Sequence, residues 1–191
     1  MKAPLLAVAL ALSTTAAAAQ TTNVQTPGNL QATRDLPCLA PAELKAEYTP
    51  ADLAPAIIKC ANQGRPEDGL FLFATMIGFA AFDGQRVTDP TAAQARDALS
   101  IQVGQTLKNG DPTVFGEWSR VMNTAMQQGS PLTPDQCALL AKVGPPDYRP
   151  DYMIAHGMKA ATGSDEPALK EDFDAAATWK TVMTQFLRCG A

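Results

Sequence analysis

A single histidine, His156, and four cysteines, Cys38, Cys60, Cys137 and Cys189, carry the least interchangeable chemistry in this 191-residue chain. One histidine cannot supply a multi-histidine metal site or a His-Glu-x-x-His motif, so no metal and no cofactor are expected. A serine, histidine and carboxylate could still converge, but the Gly-x-Ser-x-Gly turn that presents such a nucleophile is absent. Ser100, Ser119, Ser130 and Ser164 fall within expected helices or at their ends. No residue is assigned a catalytic role on this basis.

Two segments have the composition of a binding site. In Phe82-Asp83-Gly84-Gln85-Arg86-Val87-Thr88-Asp89 two acids surround one arginine. Arg86 could clamp an anion at a helix N-terminus. The preferred alternative is that Arg86 bridges Asp83 and Asp89 to fix an interhelical corner, with Asp89 as a cap. The run Gly144-Pro145-Pro146-Asp147-Tyr148-Arg149-Pro150 is rigid and bears an aromatic ring. It suits an exposed recognition loop as well as a stiff connector that packs Tyr148 inward. Tyr152, His156 and Lys159, spaced four and three apart, share one helical side. Arg86, Tyr148, Tyr152 and His156 are therefore the candidate binding residues. Glu166, Glu171, Asp172 and Asp174 cluster near the start of the last expected helix, where acids suit the helix dipole better than acid–base catalysis. Met76, Met122, Met126, Met153, Met158 and Met183 are expected as core filler.

The N-terminus indicates the compartment in which this chemistry would operate. Lys2, the apolar run Leu5 to Leu12 and Ala17-Ala18-Ala19 before Gln20 form the pattern of a secretory signal peptide over residues 1–19. The run is far shorter than the about twenty residues a membrane span needs. Leu70 to Phe82 is also too short and is expected as a buried central helix. A periplasmic or secreted location in a Gram-negative bacterium follows as the expectation. With 19 acidic and 15 basic residues the chain has a net charge of −4, and no basic stripe suggests nucleic acid or anionic lipid. Export makes two disulfides the expected state of the four cysteines. Three connectivities are possible and the sequence does not choose among them; Cys38–Cys60 with Cys137–Cys189 makes the shortest closures. Neither Cys-x-x-Cys nor paired zinc ligands occur.

The elements that position these residues are helices. Residues 20–37 hold few apolar side chains and are expected to be a flexible leader, with one domain over 38–191. Thr49-Pro50, Asp89-Pro90, Asp111-Pro112 and Thr133-Pro134 each place a capping oxygen before a first-turn proline. Gly64, Gly84, Gly110, Gly129, Gly144 and Gly163 are the expected stops. The resulting helices are Pro50 to Asn62, Pro66 to Phe82, Pro90 to Asn109, Pro112 to Gln128, Pro134 to Val143, Pro150 to Thr162 and Asp172 to Arg188. Val114, Phe115, Trp118, Val121, Met122 and Ala125 trace the apolar face of the fourth. Phe173, Ala176, Ala177, Val182, Met183, Phe186 and Leu187 trace that of the last. The expected fold is all-α: an irregular bundle of about six to seven helices stapled by two disulfides.

The four cysteines, with Phe82-Asp83, Arg86-Val87 and Tyr152-Met153-Ile154-Ala155-His156-Gly157-Met158, resemble a group of small exported all-helical proteins of Gram-negative bacteria. The resemblance runs roughly from Cys38 to Cys189 and implies an exported helical domain with no activity attached. In general character the chain is also similar to periplasmic immunity proteins, a similarity of class that transfers no residue. The expectation is a non-catalytic protein that binds another periplasmic or secreted protein, as an immunity, inhibitor or envelope accessory factor. The alternatives are a binder of a small anionic or cell-wall-derived ligand and, third, an envelope hydrolase. The sequence leaves the oligomeric state open.

Overall fold

The computed structural model describes residues 26–190; the expected signal peptide and the first residues of the expected leader lie outside them. Within this range the chain is helical, with no strand and a single antiparallel bridge between Val87 and Leu169. Eight α-helices follow in order: α1 (Pro50–Asn62), α2 (Pro66–Arg86), α3 (Ala95–Lys108), α4 (Pro112–Gln128), α5 (Pro134–Val143), α6 (Asp151–Ile154), α7 (Met158–Thr162) and α8 (Ala175–Thr181). Short 3-10 turns occupy Pro41–Glu43 and Ala92–Gln94, and a π-helical turn, Val182–Phe186, follows α8.

Three of the four expected starts are built as the capping argument requires. Thr49 Oγ1 accepts from Asp52 N at 3.1 Å while the Asp52 carboxylate accepts from Thr49 N at 3.0 Å. Thr133 and Gln136 repeat this reciprocal pair on α5, and Asp111 Oδ1 accepts from Thr113 N at 2.7 Å on α4. Asp89 also caps, but the turn it starts is the 3-10 segment, so α3 begins at Ala95 rather than Pro90. Gly84 does not stop α2. A side chain there would crowd Ala93 at 3.3 Å, so the glycine serves close approach to the 3-10 turn, and α2 runs on to Arg86.

The expected sixth helix is divided into α6 and α7. Asp89 Oδ2 accepts from Lys159 N at 2.7 Å, and Thr91 Oγ1 accepts from Met158 N at 2.9 Å. These side chains reach the start of α7 only because Gly157 has no Cβ, which would collide with the Asp89 carboxylate. Asp174 Oδ1 caps α8 by accepting from Ala177 N at 2.9 Å.

The segment 26–37, expected as part of a flexible leader, packs along the domain despite its polar composition. Thr33 N and Arg34 N donate to Asp52 Oδ1 at 2.6 and 2.8 Å, and Leu30 N donates to Tyr152 O at 3.1 Å. Backbone donors, which composition does not register, anchor it. Burial pushes the Asp52 carboxyl up, but donors from Thr49, Arg34 and Thr33 outweigh this and hold it below the ordinary aspartate value.

The core forms around α2, whose Phe71, Leu72, Met76, Phe79 and Phe82 are fully buried, as are Leu53 and Ile57 of α1. No helix of the described residues is long and apolar enough to cross a membrane. Disulfides join Cys38 to Cys60 and Cys137 to Cys189, closing 22 and 52 residues. On the chain-entropy account each contributes about 3 to 4 kcal/mol.

Candidate functional site

Three of the four candidate binding residues meet on one carboxylate. Asp83 lies in the last turn of α2 and is fully buried. Arg86, one turn on, donates through Nε to Asp83 Oδ1 at 2.9 Å, with Nη2 at 2.7 Å from the same oxygen. The Tyr148 and Tyr152 hydroxyls donate to Asp83 Oδ2 at 3.0 and 2.8 Å. The Arg86 guanidinium also stacks between the rings of Phe82 and Tyr148, 5.3 and 5.2 Å from their centroids. The anion that Arg86 holds is thus the chain's own Asp83, and Asp89 takes no part: the expected bridge exists on one side only.

The loop that carries Tyr148 is the connector of the two alternatives. Pro146 and Pro150 are buried, and Asp147 N donates to Ala46 O at 2.9 Å, which fixes the loop against the turn before α1. Proline on either side of Tyr148 restricts the backbone, so its ring is delivered to Asp83 with little further ordering. Tyr152 follows in α6 and approaches from the same direction. His156 stays apart: its Nδ1 lies 2.8 Å from Asn29 Oδ1, within hydrogen-bond distance. Partial burial holds its pKa below the usual histidine value.

Burial raises the Asp83 carboxyl to about 6, against the opposing pull of Arg86 and the two tyrosine hydroxyls. Burial and the neighbouring Asp83 charge push both tyrosines well above their ordinary value, so they remain donors. A shifted carboxylate in a cleft would be a catalytic candidate. Here all its hydrogen-bond partners are side chains of the same chain, and none of the four lines the five grooves of about 320 to 500 Å³ formed by the described residues. The cluster is a clasp that ties the loop and α6 to the end of α2. Nor does any group of three histidine, cysteine, aspartate or glutamate side chains among the described residues have the arrangement to hold a metal ion.

The accessible feature lies elsewhere. Leu70, Phe73 and Ile77 of α2, Met122 and Met126 of α4, and Phe186 of the π-helical turn line a groove of about 400 Å³, with Arg188 also in its lining. Met126 is 75% exposed and Phe186 40%. Phe186 is also a wall of a second groove of about 500 Å³, formed with Gln85, Arg96 and Thr181. The Arg96 guanidinium sits over the Phe186 ring at 5.5 Å. An aromatic ridge therefore separates two open troughs.

Sequence periodicity missed this site for identifiable reasons. Methionines at helical spacing were expected in the core, and Met76, Met153 and Met183 are there, but Met126 and Met158 face outward. Phe186 was expected on the buried face of the last helix. Leu187 N instead donates to Val182 O at 2.9 Å, five residues back, and this wider turn carries Phe186 out of the buried stripe. Ala176 and Ala177 of α8 are exposed as well, and Trp179 takes the buried place beside Phe79 and Phe82. The signal within the sequence was Met126 itself, one position outside the apolar face that Met122 and Ala125 define. No protein family, no curated protein and no solved structure matches the chain.

Proposed function

We propose that the protein is an exported, non-catalytic helical module that acts by binding another protein in the periplasm, as an immunity, inhibitor or envelope accessory factor does. The observation that carries this reading is the groove between α2, α4 and Phe186, with Met126 exposed on its rim. A row of apolar side chains along an open groove suits the side chains of a protein partner, and unbranched methionine side chains adapt to the shape of what binds. The fully buried Asp83 carboxylate is engaged by Arg86, Tyr148 and Tyr152, which suits a structural role for this cluster. Two formed disulfides are in keeping with an oxidising compartment.

Photo-crosslinking in living cells tests the reading directly. A benzophenone amino acid is placed at Met126 or, as control, at Ile101 of α3, which is 57% exposed and outside the groove. The expected result is a discrete protein adduct from position 126, recovered in the osmotic-shock fraction, with none from position 101. Identical adducts from both positions, or none from 126, would overturn it.

A further inference from the structure

Resting on the protein-binding reading, we infer that the Phe186 groove receives an amphipathic helix of the partner whose apolar stripe is bordered by acidic side chains. The groove supplies the first half of this argument. Leu70, Phe73 and Ile77 follow one another at spacings of three and four along α2, and Met122 and Met126 at four along α4. The α2 row extends for about 10 Å at 1.5 Å per residue, the length over which a helix presents anchors at i, i+3 or i+4, and i+7. No strand occurs among the described residues, so no sheet edge is available to bind an extended segment by backbone pairing.

Charge supplies the second half. Among the described residues, Arg188 is the one charged side chain lining the apolar groove, and Arg96 the one charged side chain lining its neighbour across Phe186. Both are cationic on a chain whose overall charge is −4. Among the described residues Arg96 pairs only with the adjacent exposed Asp97, at 3.0 Å, and Arg188 forms no ion pair. Arg188 is held at the rim by donating to Gly129 O at 3.1 Å. Its backbone takes φ 58°, a left-handed conformation that glycine adopts more readily, immediately before the disulfide-bonded Cys189. Two guanidinium groups on either side of one exposed ring match carboxylates on either border of an apolar helix face.

The test uses the purified full-length mature chain with both disulfides intact and three labelled helical peptides of equal length. All three contain leucines at i, i+3, i+4 and i+7; one is bordered by glutamates and one by lysines, and the third is a scramble of the glutamate peptide. Binding is read by fluorescence anisotropy and located by the methyl resonances of isotope-labelled methionine. The glutamate peptide is expected to bind about tenfold or more tightly than the lysine peptide, less so as salt rises, and to shift the Met126 signal but not that of exposed Met158. Arg188→Glu or Arg96→Glu should remove the preference; using both guards against a folding defect in either one. Equal affinity for both charged peptides, or a shift confined to Met158, would overturn the inference. So would a dimer in light scattering that Met126→Glu dissociates, since a second copy would then be the occupant. If neither peptide binds while crosslinking at position 126 persists, the helix is wrong and protein binding stands; if the crosslink is also missing, both fail.

Discussion

Asp83 and Tyr152 are 69 positions apart in sequence and 2.8 Å apart through a hydroxyl-to-carboxylate hydrogen bond in a fully buried site. Tyr148 and Arg86 complete the set, so a loop, a short helix and the end of the central helix share one buried charge. Removing any one donor leaves the carboxylate underserved rather than free to hydrate.

Tyr152→Phe deletes one donor without changing ring volume and should lower unfolding free energy by about 1–3 kcal/mol in urea titration. Arg86→Met should cost more, about 3–5 kcal/mol, because it leaves a buried charge without its counter-ion. If both variants unfold at the wild-type midpoint, the clasp contributes no stability.

The clasp also sets a pH dependence of definite sign. Asp83 binds its proton more tightly in the folded state, about 6 against an ordinary 3.8, so its contribution is full below 3.8 and declines as pH rises through 6. The loss amounts to about 3 kcal/mol for a difference of about two pKa steps. Asp83→Asn cannot ionise. Denaturation midpoints of wild type relative to this variant should therefore fall between pH 4 and pH 7, and parallel curves would contradict the assignment.

Asp52 acts in the opposite direction. Its carboxyl is held below the ordinary value, so the stability it confers is present above pH 3.8 and lost as pH drops below it. Asp52→Ala leaves the buried N–H of Thr49 and those of Thr33 and Arg34 without an acceptor, at a cost of about 3 kcal/mol near neutrality. Hydrogen exchange at residues 30–36 should quicken in this variant; unchanged protection would place the anchoring of the N-terminal segment elsewhere.

Met126→Glu changes a side chain that is 75% exposed and should move stability by no more than about 0.5 kcal/mol. It should nevertheless abolish partner capture through the groove. Thermal unfolding and crosslinking from a neighbouring rim position, measured on the same preparation, separate the two effects.

Much of the fold is legible in local chemistry. Thr49, Asp111 and Thr133 mark helix starts because their oxygens and the following prolines act within a single turn. The closures Cys38–Cys60 and Cys137–Cys189 are the shortest of the three possible pairings, which describes the outcome without having selected it. The Arg86–Asp83 pair was legible within one helical turn, but the inward orientation of Tyr148 and Tyr152 depends on Asp83 being buried 65 and 69 positions away, which no local window contains. The exposure of Phe186 was hidden because periodicity assumes a turn of 3.6 residues and the chain widens that turn at Val182–Phe186.

The third wall of the groove comes late in the chain. Arg188 follows Gly129, whose carbonyl it holds, by 59 residues, so a polypeptide delivered amino end first completes α2 and α4 long before Phe186 arrives. Leu70, Phe73 and Ile77 supply one wall, and the Phe186 edge that faces them comes from a segment more than a hundred residues further along the chain. The groove therefore joins residues 70 to 188, and its full outline exists only when α2, α4 and the last turn are packed together.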